Sequence, residues 1–203
     1  MPMMRVIALF AVAGLTGALA ACKPPPTDEV MDRALPEQVP TGPSVPIDSP
    51  DSEGAIWAPS QIEDRIIYGQ PGSAPMLALA CEMDTGADTA KQPQLRLTRF
   101  APADEGAGAL FALVGNGHVA RIPVDAVDYR GGFVWEGVVA AAQPNTDVLT
   151  GPRTVTATLP GAGMLTLNPS TLPGALIEQC RAAGTPSATD LTTEFTEDAA
   201  PDL

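Results

Sequence analysis

The sequence predicts a mainly β protein: a small antiparallel sandwich or barrel of about seven or eight strands, followed by one C-terminal helix. Three observations carry this. Between residues 62 and 167 the apolar residues come in short alternating runs rather than at helical spacing. Gly and Pro, 19 and 22 of the 203 residues, punctuate those runs. The run after Pro173 has helical periodicity instead.

The elements follow in order. In the run 76–82, Leu77, Leu79 and Cys81 share one face, because strand side chains alternate. Leu95 and Leu97 do the same in 94–100. Residues 109–114 and 118–124 flank Gly115-Asn116-Gly117, and Asn-Gly accepts the positive φ angles of a tight hairpin turn. Further strands are expected at 133–139, 154–159 and 164–167, the last two separated by Pro160-Gly161-Ala162-Gly163. A helix is expected over 173–183, with Ser170 or Thr171 as its cap, Leu176, Ile177 and Cys180 on one face, and Gly184 as its end.

The chain is acidic, with a formal net charge of −13, and the charge sits in its flanks. Residues 23–54 hold seven acids and two bases; residues 185–203 hold five acids and no base. This balance excludes nucleic acid as a partner, since phosphate recognition needs a cationic footprint. Residues 23–50 contain eight prolines and no apolar periodicity, and read as an extended, solvated linker. In polyproline geometry those 28 residues reach roughly 85 Å at ~3.1 Å each. The expected organisation is a leader over 1–21, a linker over 22–55, a β domain over 56–184 and a disordered acidic tail over 185–203.

The leader has one charge, Arg5, then an apolar stretch from Val6 to Leu15, too short for a membrane helix and of the right length for a signal peptide. Its last residues, Leu19-Ala20-Ala21-Cys22, resemble the lipobox of bacterial lipoproteins. The resemblance implies cleavage before Cys22 and acylation of that residue. Several acyl chains, at about 0.8 kcal/mol per buried methylene, would hold the protein on a bilayer. Lys23 in the next position implies, by the sorting rule of enteric lipoproteins, the outer membrane facing the periplasm. Cys81 and Cys180 then remain as an even pair in an oxidising compartment, and a disulfide is expected between a strand and the helix.

Signals for chemistry are sparse. Asp84-Thr85-Gly86-Ala87-Asp88 resembles the Asp-Thr-Gly loop of retropepsin-like aspartic proteases. That resemblance implies Asp84 as catalytic acid/base and a homodimer to supply the second carboxylate. Glu82 stands where that family has apolar residues, and the same five residues serve as a polar inter-strand loop. His118, the one histidine, follows the hairpin turn with no nucleophile elbow or zinc-ligand spacing around it. No cofactor and no metal site are expected.

A binding surface is the better candidate. Phe133 and Trp135 share a strand face beside Arg130, a pattern suited to a glycan or peptide. Arg96, Arg99, Arg121 and Arg130 are candidates for a cationic cluster that receives an anionic partner. The architecture is similar to that of lysozyme inhibitors, small periplasmic lipoproteins with a β-barrel and one disulfide. Function is therefore expected to be that of a non-enzymatic binding or envelope-accessory module. The partners expected are the membrane, through the anchor, and an envelope protein or glycan.

Overall fold

The structure is a computed structural model and describes residues 45–84 and 92–184. The leader, Cys22, most of the linker and the acidic tail lie outside the described residues, as do Thr85, Gly86, Ala87 and Asp88. No helix among the described residues is long and apolar enough to cross a membrane.

Nine strands form one antiparallel sheet that nearly closes into a barrel. They are β1 (Ile56–Pro59), β2 (Arg65–Gly69), β3 (Leu77–Met83), β4 (Pro93–Arg99), β5 (Gly108–Gly115), β6 (His118–Tyr129), β7 (Gly132–Ala140), β8 (Val155–Thr158) and β9 (Met164–Leu167). Their order around the sheet is β1-β2-β3-β4-β7-β6-β5-β8-β9. A 3-10 helix (Pro144–Leu149) follows β7, and helix α1 (Leu172–Ala183) ends the fold.

Alternation fills the barrel. Leu77 and Leu79, Leu95 and Leu97, Phe111 and Leu113, Ile122 and Val124, Val155 and Ala157, and Leu165 and Leu167 all point inward and are buried. Trp57, Tyr68 and Trp135 complete this interior, and the Trp57 and Tyr68 rings lie 5.1 Å apart. Among the described residues the interior is therefore filled by a packed core.

The apolar pattern does not mark β1 and β2, for a physical reason. In β2, Ile66, Ile67 and Tyr68 are all buried, so alternation is lost. Ile67 faces outward but is covered by a small second cluster with Ala58, Ala78 and Phe100. The 3-10 helix likewise has no apolar period that announces it.

β6 changes partner halfway. Its first half pairs with β5 up to Asp125 opposite Gly108, and its second half pairs with β7 from Asp125 opposite Glu136. Pro123, which has no N–H to donate, sits just before this corner. Gly137 on β7 passes so close that a Cβ there would stand 2.5 Å from the Pro123 carbonyl oxygen. The β5–β6 turn has positive φ at Asn116 and Gly117, and the β6–β7 turn at Arg130 and Gly131.

The two sheet edges, β1 and β9, are joined by side chains. The Tyr68 hydroxyl donates to the Thr166 carbonyl (2.8 Å) and accepts from the Asn168 N–H (3.1 Å). Asn168 Nδ2 donates to the carbonyls of Ala55 and Ser52. Residues 47–55, grouped with the linker on composition, run along β9 as part of the folded unit. Met164 N–H donates to Ser49 Oγ, Thr166 N–H to Ser52 Oγ, and Ile47 N–H to the Gly161 carbonyl.

Helix α1 packs one face against the barrel through Leu176, Ile177 and Cys180. Ser170 Oγ accepts from Leu172 N–H, and Gly184 ends the helix where a Cβ would collide with Pro93. Cys81 of β3 and Cys180 of α1 form a disulfide with a Cα–Cα distance of 5.6 Å.

Candidate functional site

The four arginines do not form a cluster. Strand parity alone separates Arg96 from Arg99, which face opposite sides of β4. Arg99 shares the inward face with Leu95 and Leu97 and is buried, where it donates to the carbonyls of Met76 (2.9 Å) and Ala162 (3.2 Å). Burial lowers its pKa to about 10. Its role is to tie the β8–β9 turn to the barrel mouth.

Arg96 faces outward but is already neutralised. Its guanidinium grips the Glu82 carboxylate with Nε and Nη2 and also reaches Glu136, which in turn accepts from Thr98 Oγ1. The bond to Glu82, the largest effect, raises the Arg96 pKa; partial burial opposes it and Glu136 reinforces it. Arg130 occupies the β6–β7 turn, with its guanidinium 5.5 Å from the Tyr129 ring centroid.

The aromatic pair is not a surface either. Trp135 is buried and donates its Nε1–H to the Pro102 carbonyl, and Phe133 packs against the core beside it. An outer row of π contacts forms elsewhere: Arg65 lies over Phe100, Phe100 tilts against Tyr129, and Arg130 lies over Tyr129. That row carries no sequence signal, because Phe100 just after β4 and Tyr129 at the end of β6 meet only in the fold.

Asp84 ends the β3 side of the β3–β4 connection, and its N–H donates to the Gln92 carbonyl across the base of the loop. His118 opens β6 and is exposed. Among the described residues no three His, Cys, Asp or Glu side chains gather as metal ligands. A shallow cleft of about 270 Å³ lies between the β1–β2 turn and α1, lined by Ile62, Asp64, Arg65, Leu172, Leu176 and Gln179. It is small beside ligand pockets of about 300–1,000 Å³, and Gln179 and Asp64 are hydrogen-bonded to each other there.

Arg121 is different. Among the described residues it makes no ion pair or side-chain hydrogen bond, and it stands on the outer face of β6-β5-β8-β9. Register places Pro123 opposite Leu110, Arg121 opposite Ala112, and Val119 opposite Val114. Ala112 and Val114 lie opposite Thr158 and Thr156, which in turn lie opposite Met164 and Thr166. Directly opposed side chains sit about 5 Å apart, so these ten residues form one continuous surface. Leu110, Val114, Val119 and Met164 are 52, 50, 55 and 47% exposed, and Arg121 is the block's one charge. Alternation predicts that half of each strand faces out. Nothing in pairing-free sequence reveals that four outward halves combine as apolar, because that depends on the β5–β8 neighbourhood.

No protein family, curated protein or solved structure matches this chain.

Proposed function

We propose that the chain is a non-enzymatic binding module of the bacterial envelope, lipid-anchored through Cys22, whose barrel docks a protein partner on the outer face of β6-β5-β8-β9. The observation that carries this reading is the block of half-exposed Leu110, Val114, Val119 and Met164 around Arg121, which has no ion pair among the described residues. A contiguous apolar patch on a small domain marks an interaction surface more often than scattered surface residues do. The packed interior supports the same reading, since recognition then falls to the outside of the barrel. A partner for this face carries apolar side chains and a carboxylate for Arg121. The envelope address rests on the Leu19-Ala20-Ala21-Cys22 motif.

The test is photo-crosslinking in intact envelopes, with benzoylphenylalanine in place of Val119 in the full-length chain. The expected result is a discrete protein adduct that disappears with Val114→Glu and with Arg121→Glu. Absence of any adduct at both Val119 and Leu110, from protein whose Cys22 is acylated by mass spectrometry, overturns the docking reading. An unacylated Cys22 overturns the anchor.

A further inference from the structure

We propose that the chain's own acidic tail, residues 190–198, occupies the outer face of β6-β5-β8-β9 in cis and competes there with the partner. This rests on the reading that the face is a docking surface. Three observations lead to it. The first is complementarity. The face offers Leu110, Val114, Val119, Pro123 and Met164 around one cation, Arg121, that has no ion pair among the described residues. The interval Asp190–Asp198 sets Leu191 and Phe195 among Asp190, Glu194, Glu197 and Asp198, so it brings apolar anchors and carboxylates together. Residues 185–203 hold no other large apolar residue besides the final Leu203, and no base.

The second observation is where the tail begins. Gly184 lies against Pro93, and the Pro93 carbonyl accepts the Ala141 N–H. Arg181 donates to the Ala141 carbonyl and to Thr146 of the 3-10 helix. That helix packs against β6, and the Val148 carbonyl accepts from Asn116 at the turn that opens β6. The chain therefore leaves the fold beside the start of β4, two strands from β6 in the sheet, at the barrel end where the 3-10 helix meets the β5–β6 turn.

The third is reach. Eleven peptide steps lead from Gly184 to Phe195, up to about 40 Å of chain. A domain of this size has a radius of gyration of about 14 Å, so the outer face of β6-β5-β8-β9 lies within reach of that length. A second copy of the chain fits the face less well. A two-fold axis through the block would bring Arg121 toward its own counterpart, a like-charge contact.

The experiment places benzoylphenylalanine at position 195 of the full-length chain and maps adducts by mass spectrometry under dilute, partner-free conditions. An intramolecular adduct to the segment 110–123 is expected. Arg121→Glu should lower its yield by up to about fivefold, the range of an exposed ion pair. With the disulfide intact, adducts confined to other segments, or to a second chain, overturn the inference. In envelopes, Phe195→Glu should increase partner capture at Val119. Unchanged capture there refutes competition by the tail while leaving the docking surface standing. Loss of all capture at Val119 with the cis adduct retained refutes the partner and not the tail.

Discussion

Replacing Tyr68 by Phe removes one oxygen and tests how the barrel is closed. That oxygen donates to the Thr166 carbonyl and accepts from the Asn168 N–H, joining β2 to the β9 edge across the open side of the sheet. Phe keeps the ring, its contact with Trp57 and the buried apolar area. What remains is one orphaned acceptor and one orphaned donor, both half-buried. Each unsatisfied group costs about 1–3 kcal/mol when buried; partial access to water puts the pair at about 2–4 kcal/mol. At about 4 °C per kcal/mol for a domain of this size, Tm should fall by roughly 8–16 °C. The assay is urea and thermal unfolding with the disulfide intact, with hydrogen exchange at the Asn168 amide as the local readout. A loss below about 0.5 kcal/mol, or unchanged exchange at Asn168, would refute the view that this hydroxyl holds the seam. A pH arm sharpens the test. Burial raises the Tyr68 pKa, opposed by the bond from Asn168 N–H. The stability this group confers is thus fully present below about pH 10, its unfolded value, and is lost as pH rises through the higher folded value. Arg99, lowered to about 10 by burial, works the other way. Above that value the unfolded chain binds more protons, so stability rises with pH. Phe at position 68 leaves Arg99 intact, so the difference between the two alkaline limbs isolates the tyrosine.

Other outcomes follow from the same geometry. The double change Cys81→Ser with Cys180→Ser should cost up to ~4–5 kcal/mol on the chain-entropy estimate for a loop of 99 residues, with α1 exchanging faster than the strands. Gly137→Ala should cost about 1–3 kcal/mol by urea denaturation, because its methyl group would meet the Pro123 carbonyl at the β6 corner. Asn116→Ala should cost about 2–3 kcal/mol and loosen residues 148–153. Its amide bonds the Val148 carbonyl and the Arg153 N–H, and position 116 has positive φ. Arg121→Glu should leave unfolding within about ±0.5 kcal/mol, since no side-chain bond is lost among the described residues, while it removes the Val119 adduct.

The fold was largely legible because its strands obey a period of two. Leu77 and Leu79, Leu95 and Leu97, and Leu165 and Leu167 are spaced for one buried face, and Asn116-Gly117 marks its turn without ambiguity. β2 was hidden because both of its faces are covered, and β1 because four residues ending in Pro59 carry little pattern. The disulfide was legible from the number of cysteines, two once Cys22 is set aside for the lipobox-like motif. The proposed docking face was not. Phe133 and Trp135 look like an exposed pair in one dimension, but they sit on the inward parity of β7 with Val139. Arg96 looks free until β3 and β7 bring Glu82 and Glu136 beside it. Of the proposed cations Arg121 alone is left on an open face, and its apolar surroundings come from strands that pair across long sequence separations.

The bond between Cys81 and Cys180 makes a covalent ring of everything from β3 to α1. Within that ring a protease can cut any one connection, including the segment 85–91, without releasing a fragment. The N-terminal piece, which holds the strap along β9 and, with it, the attachment to the bilayer proposed at Cys22, stays joined through sulfur to the helix. A nicked molecule should run as one species without reductant and as two with it. Damage of this kind leaves the two halves of the barrel covalently joined.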